Sequence, residues 1–264
     1  MALDLIAGLG FDGVDLSLMA SYSHVPVAEV LREPARWAEV VASKLRARGL
    51  RLLDVNFVPG MSGFGDLAVN HPDAAVRCAA ADAFQRALEF ATNAGAAHMT
   101  MLPGIAWEGE SADASLARSA GELAWRVSEA AAAGVTLSVE AHLGSVAPTP
   151  PAALELLRRT PGLTLTLDYT HFICQGLTDA DCEPLMPHAT HFHARCACPG
   201  RLQCGLRANT INYPGVIAAM RRAAYRGAFA LEYVWMDWQG ANDVDILTET
   251  VLLRDLARQA FRGA

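Results

Sequence analysis

Short, almost wholly apolar runs alternate with longer amphipathic stretches from one end of this chain to the other, and that alternation admits few folds. A run of four to eight apolar residues is long enough for a strand covered on both faces, and strands joined through helices must lie parallel. Seven segments are strand candidates, most of them near-continuously apolar: 13–18 (GVDLSL), 50–57 (LRLLDVNF), 97–102 (AHMTML), 135–141 (VTLSVEA), 163–169 (LTLTLDY), 190–195 (THFHAR) and 228–234 (AFALEYV). Helical patterns with apolar residues three and four apart occupy 34–48, 72–94, 112–133, 150–159, 214–225 and 244–261. In the second of these, Ala83, Phe84, Ala87, Leu88 and Ala91 form one stripe, and Asp82, Arg86 and Glu89 fall off it. Gly49, Gly95, Gly134 and Gly227 each stand between a helix and the next strand, where a left-handed residue ends a helix.

Repeated strand–helix units over 264 residues fit an α/β protein of the (β/α)8 TIM barrel type, which typically needs about 250 residues. The count is one strand short. The chain opens on a helix at 2–9, so the expected barrel lacks its first strand here. An open barrel, completion by another segment or subunit, and a start codon placed too late all answer to this, and an unpaired parallel edge favours a homodimer. No shift in composition marks a boundary, which makes 1–264 a single domain.

A net charge of -7 with scattered arginines excludes the basic face that nucleic acids require. The longest stretch without Asp, Glu, Lys or Arg, 90–107, is interrupted by Thr92, Asn93, His98, Pro103 and Gly104, so it does not cross a membrane. Asp4 stands where a secretory signal would carry a positive charge, and the expected location is cytoplasmic. The expected partner is a small molecule. Gly8, Gly10 and Gly13 spell GxGxxG, but they follow a helix and precede a strand, the reverse of the dinucleotide motif. Cys196, Cys198 and Cys204 lack the spacing of a tetrahedral zinc set, and the six cysteines are expected as mostly free thiols.

Chemistry in such a barrel sits at the C-terminal ends of the strands. Glu140 and Asp168 lie near the ends of the fourth and fifth runs, His191 and His193 lie in the sixth, and Glu232 lies in the seventh. A carboxylate closing an apolar strand is costly to desolvate without a cation. Three carboxylates and an imidazole on consecutive strands call for one divalent ion, and this hard donor set suits Mn, Mg or Co and also takes Zn. His142 and His171 follow Glu140 and Asp168 closely enough to contact a substrate hydroxyl.

With LGFDGVDL, SVEAHLGS, LDYTH, HFHAR and GAFALEYVW in this order, the chain resembles the xylose-isomerase-like TIM barrels, the sugar phosphate isomerases and epimerases. The resemblance implies metal ligands Glu140, Asp168, His193 and Glu232, with the second histidine of HFH preferred, and His171 at substrate. It also implies a sugar or polyol substrate and an isomerase or epimerase reaction through an enediolate, in which Glu140 and Glu232 move the proton. The pattern departs in two places: the epimerases of free ketoses carry a Glu and an Arg where this chain has Val146 and Pro199. Arg195 and Arg201 stand nearby as substitute substrate contacts. The same fold also serves inosose-type dehydratases, which are lyases, and a sugar- or metal-binding barrel without turnover is the non-enzymatic reading. Phosphodiester hydrolysis like that of the endonuclease IV branch would need a larger histidine cluster than this sequence holds.

Overall fold

The computed structural model describes residues 1–20, 22–60 and 63–263. Among them are seven strands, all parallel and following chain order, as the apolar runs anticipate. The chain folds as two compact units, the first made of residues 1–140 with 144–146 and 155–164, the second of 141–143, 147–154 and 165–264.

The first unit opens on α1 (Ala2–Gly8), then β1 (Gly13–Met19), α2 (Val27–Arg32), α3 (Pro34–Arg46) and β2 (Arg51–Val58). It continues through α4 (Ala74–Ala94), β3 (His98–Met101), α5 (Ala112–Ala132) and β4 (Thr136–Glu140). The four strands pair in order, β1 on β2, β2 on β3 and β3 on β4. The GxGxxG stretch lies between α1 and β1, so it opens no helix. The predicted stripe of α4 is its inner face: Phe84, Ala87, Leu88 and Ala91 are buried, with Leu18, Val55, Phe57 and Met99 of the strands in the same core. Asp73 caps α4 through its side chain, and Gly95 ends it at φ 80°, a conformation that disfavours any residue with a Cβ.

One interior feature was not anticipated. Asp54 Oδ1 lies 2.6 Å from His98 Nδ1, His98 Nε2 lies 2.7 Å from Ser138 Oγ, and Ser138 Oγ lies 2.7 Å from Thr164 Oγ1. Thr164 in turn donates to the Leu137 carbonyl at 3.1 Å. This buried chain of polar groups ties β2, β3 and β4 together by side chains in addition to the backbone ladder.

After α6 (Pro150–Arg159), the second unit is built on β5 (Thr164–Asp168), β6 (Ala189–Ala194) and β7 (Phe229–Leu231). Its helices are α7 (Thr170–Ile173), α8 (Asp179–Cys182), α9 (Tyr213–Arg222) and α10 (Ile246–Arg262). β5 pairs with β6 and β6 with β7. β7 is three residues long and half-buried throughout, shorter than the seven-residue run that suggested it. Gly227 does not take the left-handed conformation expected of it; Ala224 does, at φ 52°. Gly227 is needed for a different reason, because a Cβ there would collide with the Thr190 carbonyl as the chain enters β7. All six cysteines are free, and no helix among the described residues is long and apolar enough to cross a membrane.

Candidate metal-binding site

In β5 the sequence TLTLD ends on Asp168, whose side chain is buried at 1% exposure. The chain turns at once into α7, and Thr170 donates to Asp168 Oδ1 through both its backbone N–H (2.8 Å) and its hydroxyl (2.7 Å). That pair of bonds fixes the carboxylate plane and leaves Oδ2 turned the other way. Parallel pairing sets Asp168 opposite His193 and His193 opposite Ala230, while the Glu232 N–H donates to the Ala194 carbonyl as the last ladder bond of β7. Register therefore sets Asp168 level with His193, and Glu232 follows two residues beyond Ala230, the partner of His193. His193 Nδ1 is 3.5 Å from Glu232 Oε2, and the His191 ring stands edge-on to His193 with centroids 5.3 Å apart.

Arg195 lies just beyond β6 and joins this set. Its Nη2 donates to Asp168 Oδ2 at 2.9 Å, and its Nη1 is 3.1 Å from Glu232 Oε2. Nε donates to the Thr170 hydroxyl at 3.2 Å, and Nη2 also lies 3.3 Å from His171 Nε2. The Arg195 carbonyl accepts the Tyr213 hydroxyl. At 4% exposure the guanidinium is a fixed buried cation, because arginine does not deprotonate in proteins.

His171, on α7, has Nε2 3.6 Å from Asp168 Oδ2. His142 is buried with Nδ1 2.7 Å from the Leu143 carbonyl, and its ring meets that of His171 edge-on at 5.6 Å. Glu140 is the buried last residue of β4 in the first unit. Arg201 stands apart: its side chain is 46% exposed and pairs with Asp243 at 3.2 Å.

The donor chemistry suits a divalent ion. Two carboxylates and an imidazole converge, and two carboxylate oxygens are already gathered on one cation, the Arg195 guanidinium. Thiolate ligands are a poorer source in this unit. Burial pushes the Cys196 thiol up to about 11 and the Cys204 thiol up to about 12, so both stay protonated at neutral pH.

Residues 3–255 match the family model described as the xylose isomerase-like TIM barrel. The chain belongs to that family. No curated protein matches it significantly. Among solved structures it resembles D-psicose 3-epimerase with D-tagatose from Clostridium cellulolyticum H10, at 14% identity and a TM-score of 0.78, covering 98% of this chain and 92% of the other. It also resembles the IolI protein with a bound zinc atom (15% identity, TM-score 0.70, 99% and 91% covered). The probable 3-DHS dehydratase AsbF from Bacillus anthracis is a third (15% identity, TM-score 0.69, 96% and 92% covered). At these identities the likeness is one of fold, and in a xylose isomerase-like barrel the reaction is decided by the site.

Two members of the site's support were missed from sequence. Thr170 carries a signal, since a hydroxyl two residues after a strand-end acid is placed to bond it. Tyr213 carries none, because its partner is a carbonyl 18 positions away.

Proposed function

We propose that this chain is a divalent-metal-dependent isomerase or epimerase of a sugar or related hydroxy-carbonyl compound, acting in the cytoplasm as one domain over residues 1–264. The observation that carries the reading is the convergence of Asp168, His193 and Glu232 from three consecutive strands, with two of the carboxylates sharing one cation. A sugar epimerase and a zinc-bound protein among the structural relatives support it. The fourth ligand is assigned to Glu140 from the order in which the family uses its strand ends.

When bound, a divalent ion (Mn, Mg, Co or Zn) supplies Lewis-acid polarisation of a carbonyl and its neighbouring hydroxyl. The chain supplies the rest. Glu232, at 26% side-chain exposure, is open enough to meet substrate, and it removes the proton from the hydroxyl-bearing carbon beside the carbonyl. Glu140, entering protonated, delivers its own proton to the enediolate, or the two exchange roles in the reverse direction. His171, His142 and Arg195 are assigned to the substrate's hydroxyls; Arg201, expected there from sequence, is instead exposed and paired with Asp243. The test is to incubate the metal-loaded protein with a panel of ketoses in deuterated water and follow the carbon-bound protons by NMR. Deuterium at the carbon beside the carbonyl is expected; no exchange with any sugar, in protein that binds the metal, would leave a non-catalytic binding barrel instead.

A dehydratase is the second reading, favoured by one contact. His171 lies 3.6 Å from the Asp168 carboxylate, a position from which an imidazole can deliver a proton to a departing hydroxyl. The same incubation separates the two, because elimination of water gives an unsaturated product that absorbs in the ultraviolet.

A further inference from the structure

Arg195 has the geometry of an occupant as well as of a substrate contact. Its two terminal nitrogens reach one oxygen each of Asp168 and Glu232, acids held on β5 and just beyond β7, while His193 approaches the same Glu232 oxygen from β6 between them. A planar guanidinium spans two carboxylates in this way because its donors form a rigid fork. These are the acids of the proposed metal site. Two cations cannot share the same oxygens at full strength, since like charges a few ångströms apart inside a protein repel strongly. The side chain is also aimed rather than loose: Nε bonds the Thr170 hydroxyl, and Tyr213 holds its backbone carbonyl.

We infer that Arg195 is an internal counter-ion that stands in for the metal. It pairs with the Asp168 and Glu232 carboxylates, and a divalent ion binds by taking their oxygens from it. This rests on the metal-site reading above and goes beyond it in one respect: metal affinity is set below its limit by a residue of the chain. The stand-in gives buried Asp168 and half-buried Glu232 a shared cationic partner. It also gathers the two acids before loading, so it is Arg195 rather than the carboxylates that must move.

The experiment uses the full chain stripped with EDTA and titrated with Mn2+ by calorimetry, with thermal melting recorded before and after loading. Arg195→Met keeps the apolar stem and removes the cation. It is expected to bind Mn2+ at least tenfold more tightly than the parent, to melt lower without metal, and to gain more on loading. Unchanged or weaker Mn2+ binding by Arg195→Met would overturn the inference. Should that variant not fold without metal, Arg195→Lys retains the charge and loses the fork; a Mn2+ affinity between parent and tenfold tighter supports the stand-in role, and one equal to the parent overturns it. Arg222→Met, which removes an exposed arginine paired with Glu183, controls for net charge and is expected to leave Mn2+ affinity within twofold; a change as large as that of Arg195→Met would overturn a local role. Asp168→Asn separates the two levels. If it binds Mn2+ as the parent does, the metal site itself is wrong. If it loses binding while Arg195→Met does not tighten it, only the stand-in role falls.

Discussion

Replacing His98 by Ala should be among the most damaging single changes to the first unit. Asp54 is fully buried, its Oδ1 is 2.6 Å from His98 Nδ1, and its Oδ2 has no hydrogen bond among the described residues. The truncation therefore strands a buried carboxylate with neither oxygen bonded. Leaving a buried polar group without its hydrogen bond costs roughly 1–3 kcal/mol, more where the group is charged. Ser138 adds little, because it keeps its contact with Thr164 at 2.7 Å. The expected loss is about 3 kcal/mol, which for a chain of this length lowers the melting temperature by roughly 6–12 °C. Urea unfolding followed by circular dichroism measures it, and a cycle with Asp54→Asn isolates the pair. Asp54→Asn/His98→Ala should be less damaging than the sum of the single changes by about 1.5 kcal/mol or more. A loss under about 1 kcal/mol for His98→Ala, or strict additivity in the cycle, would refute the claim that this chain of contacts holds the strands.

At saturating metal, Glu140→Gln and Glu232→Gln should each lower kcat by about a hundredfold to ten-thousandfold, while His171→Ala mainly raises KM; near-normal kcat in Glu232→Gln together with an inactive His171→Ala would shift the proton transfer to a histidine. Iodoacetamide at pH 8, followed by mass spectrometry, should modify exposed Cys78 first and spare Cys182 and Cys204, because burial pushes both thiols up to about 12 and leaves almost no thiolate at that pH. Raising the pH toward 11 should bring buried Cys196 into reaction, since its thiol titrates near there; equal rates for all the thiols at pH 8 would contradict this. Light scattering should return the mass of a homodimer, because β7 is half-buried at every position and β1 at all but one, as strands with an uncovered edge would be; a monomer at micromolar concentration would remove that expectation.

The strands were legible because burial on both faces writes an apolar residue at nearly every position, and each of the seven lies within the run that suggested it or overhangs it by one residue. Three helices were not. α2, α7 and α8 have six, four and four residues, too few for a 3.6-residue period to show, and they are held by local contacts such as the capping box of Thr178 and Asp181. Strand-end acids stood out for a physical reason as well: an Asp closing LTLTL has no cheap place to be unless a cation meets it.

What sequence could not supply was the cation already there. Arg195 reads along the chain as a possible hydroxyl contact two residues after His193, and nothing in its neighbours reveals that parallel register delivers Asp168 and Glu232 to its two nitrogens. The same holds for Asp54, His98 and Ser138, polar residues in three different strand segments, 44 and 40 positions apart. Both assemblies follow one rule. A strand fixes the height of each side chain, and pairing decides which heights meet, so groups unremarkable in their own segments become a charge network once several strands are in register. In the second unit that network gathers the Asp168 and Glu232 carboxylates on the Arg195 guanidinium and fixes the orientation of Asp168 through Thr170.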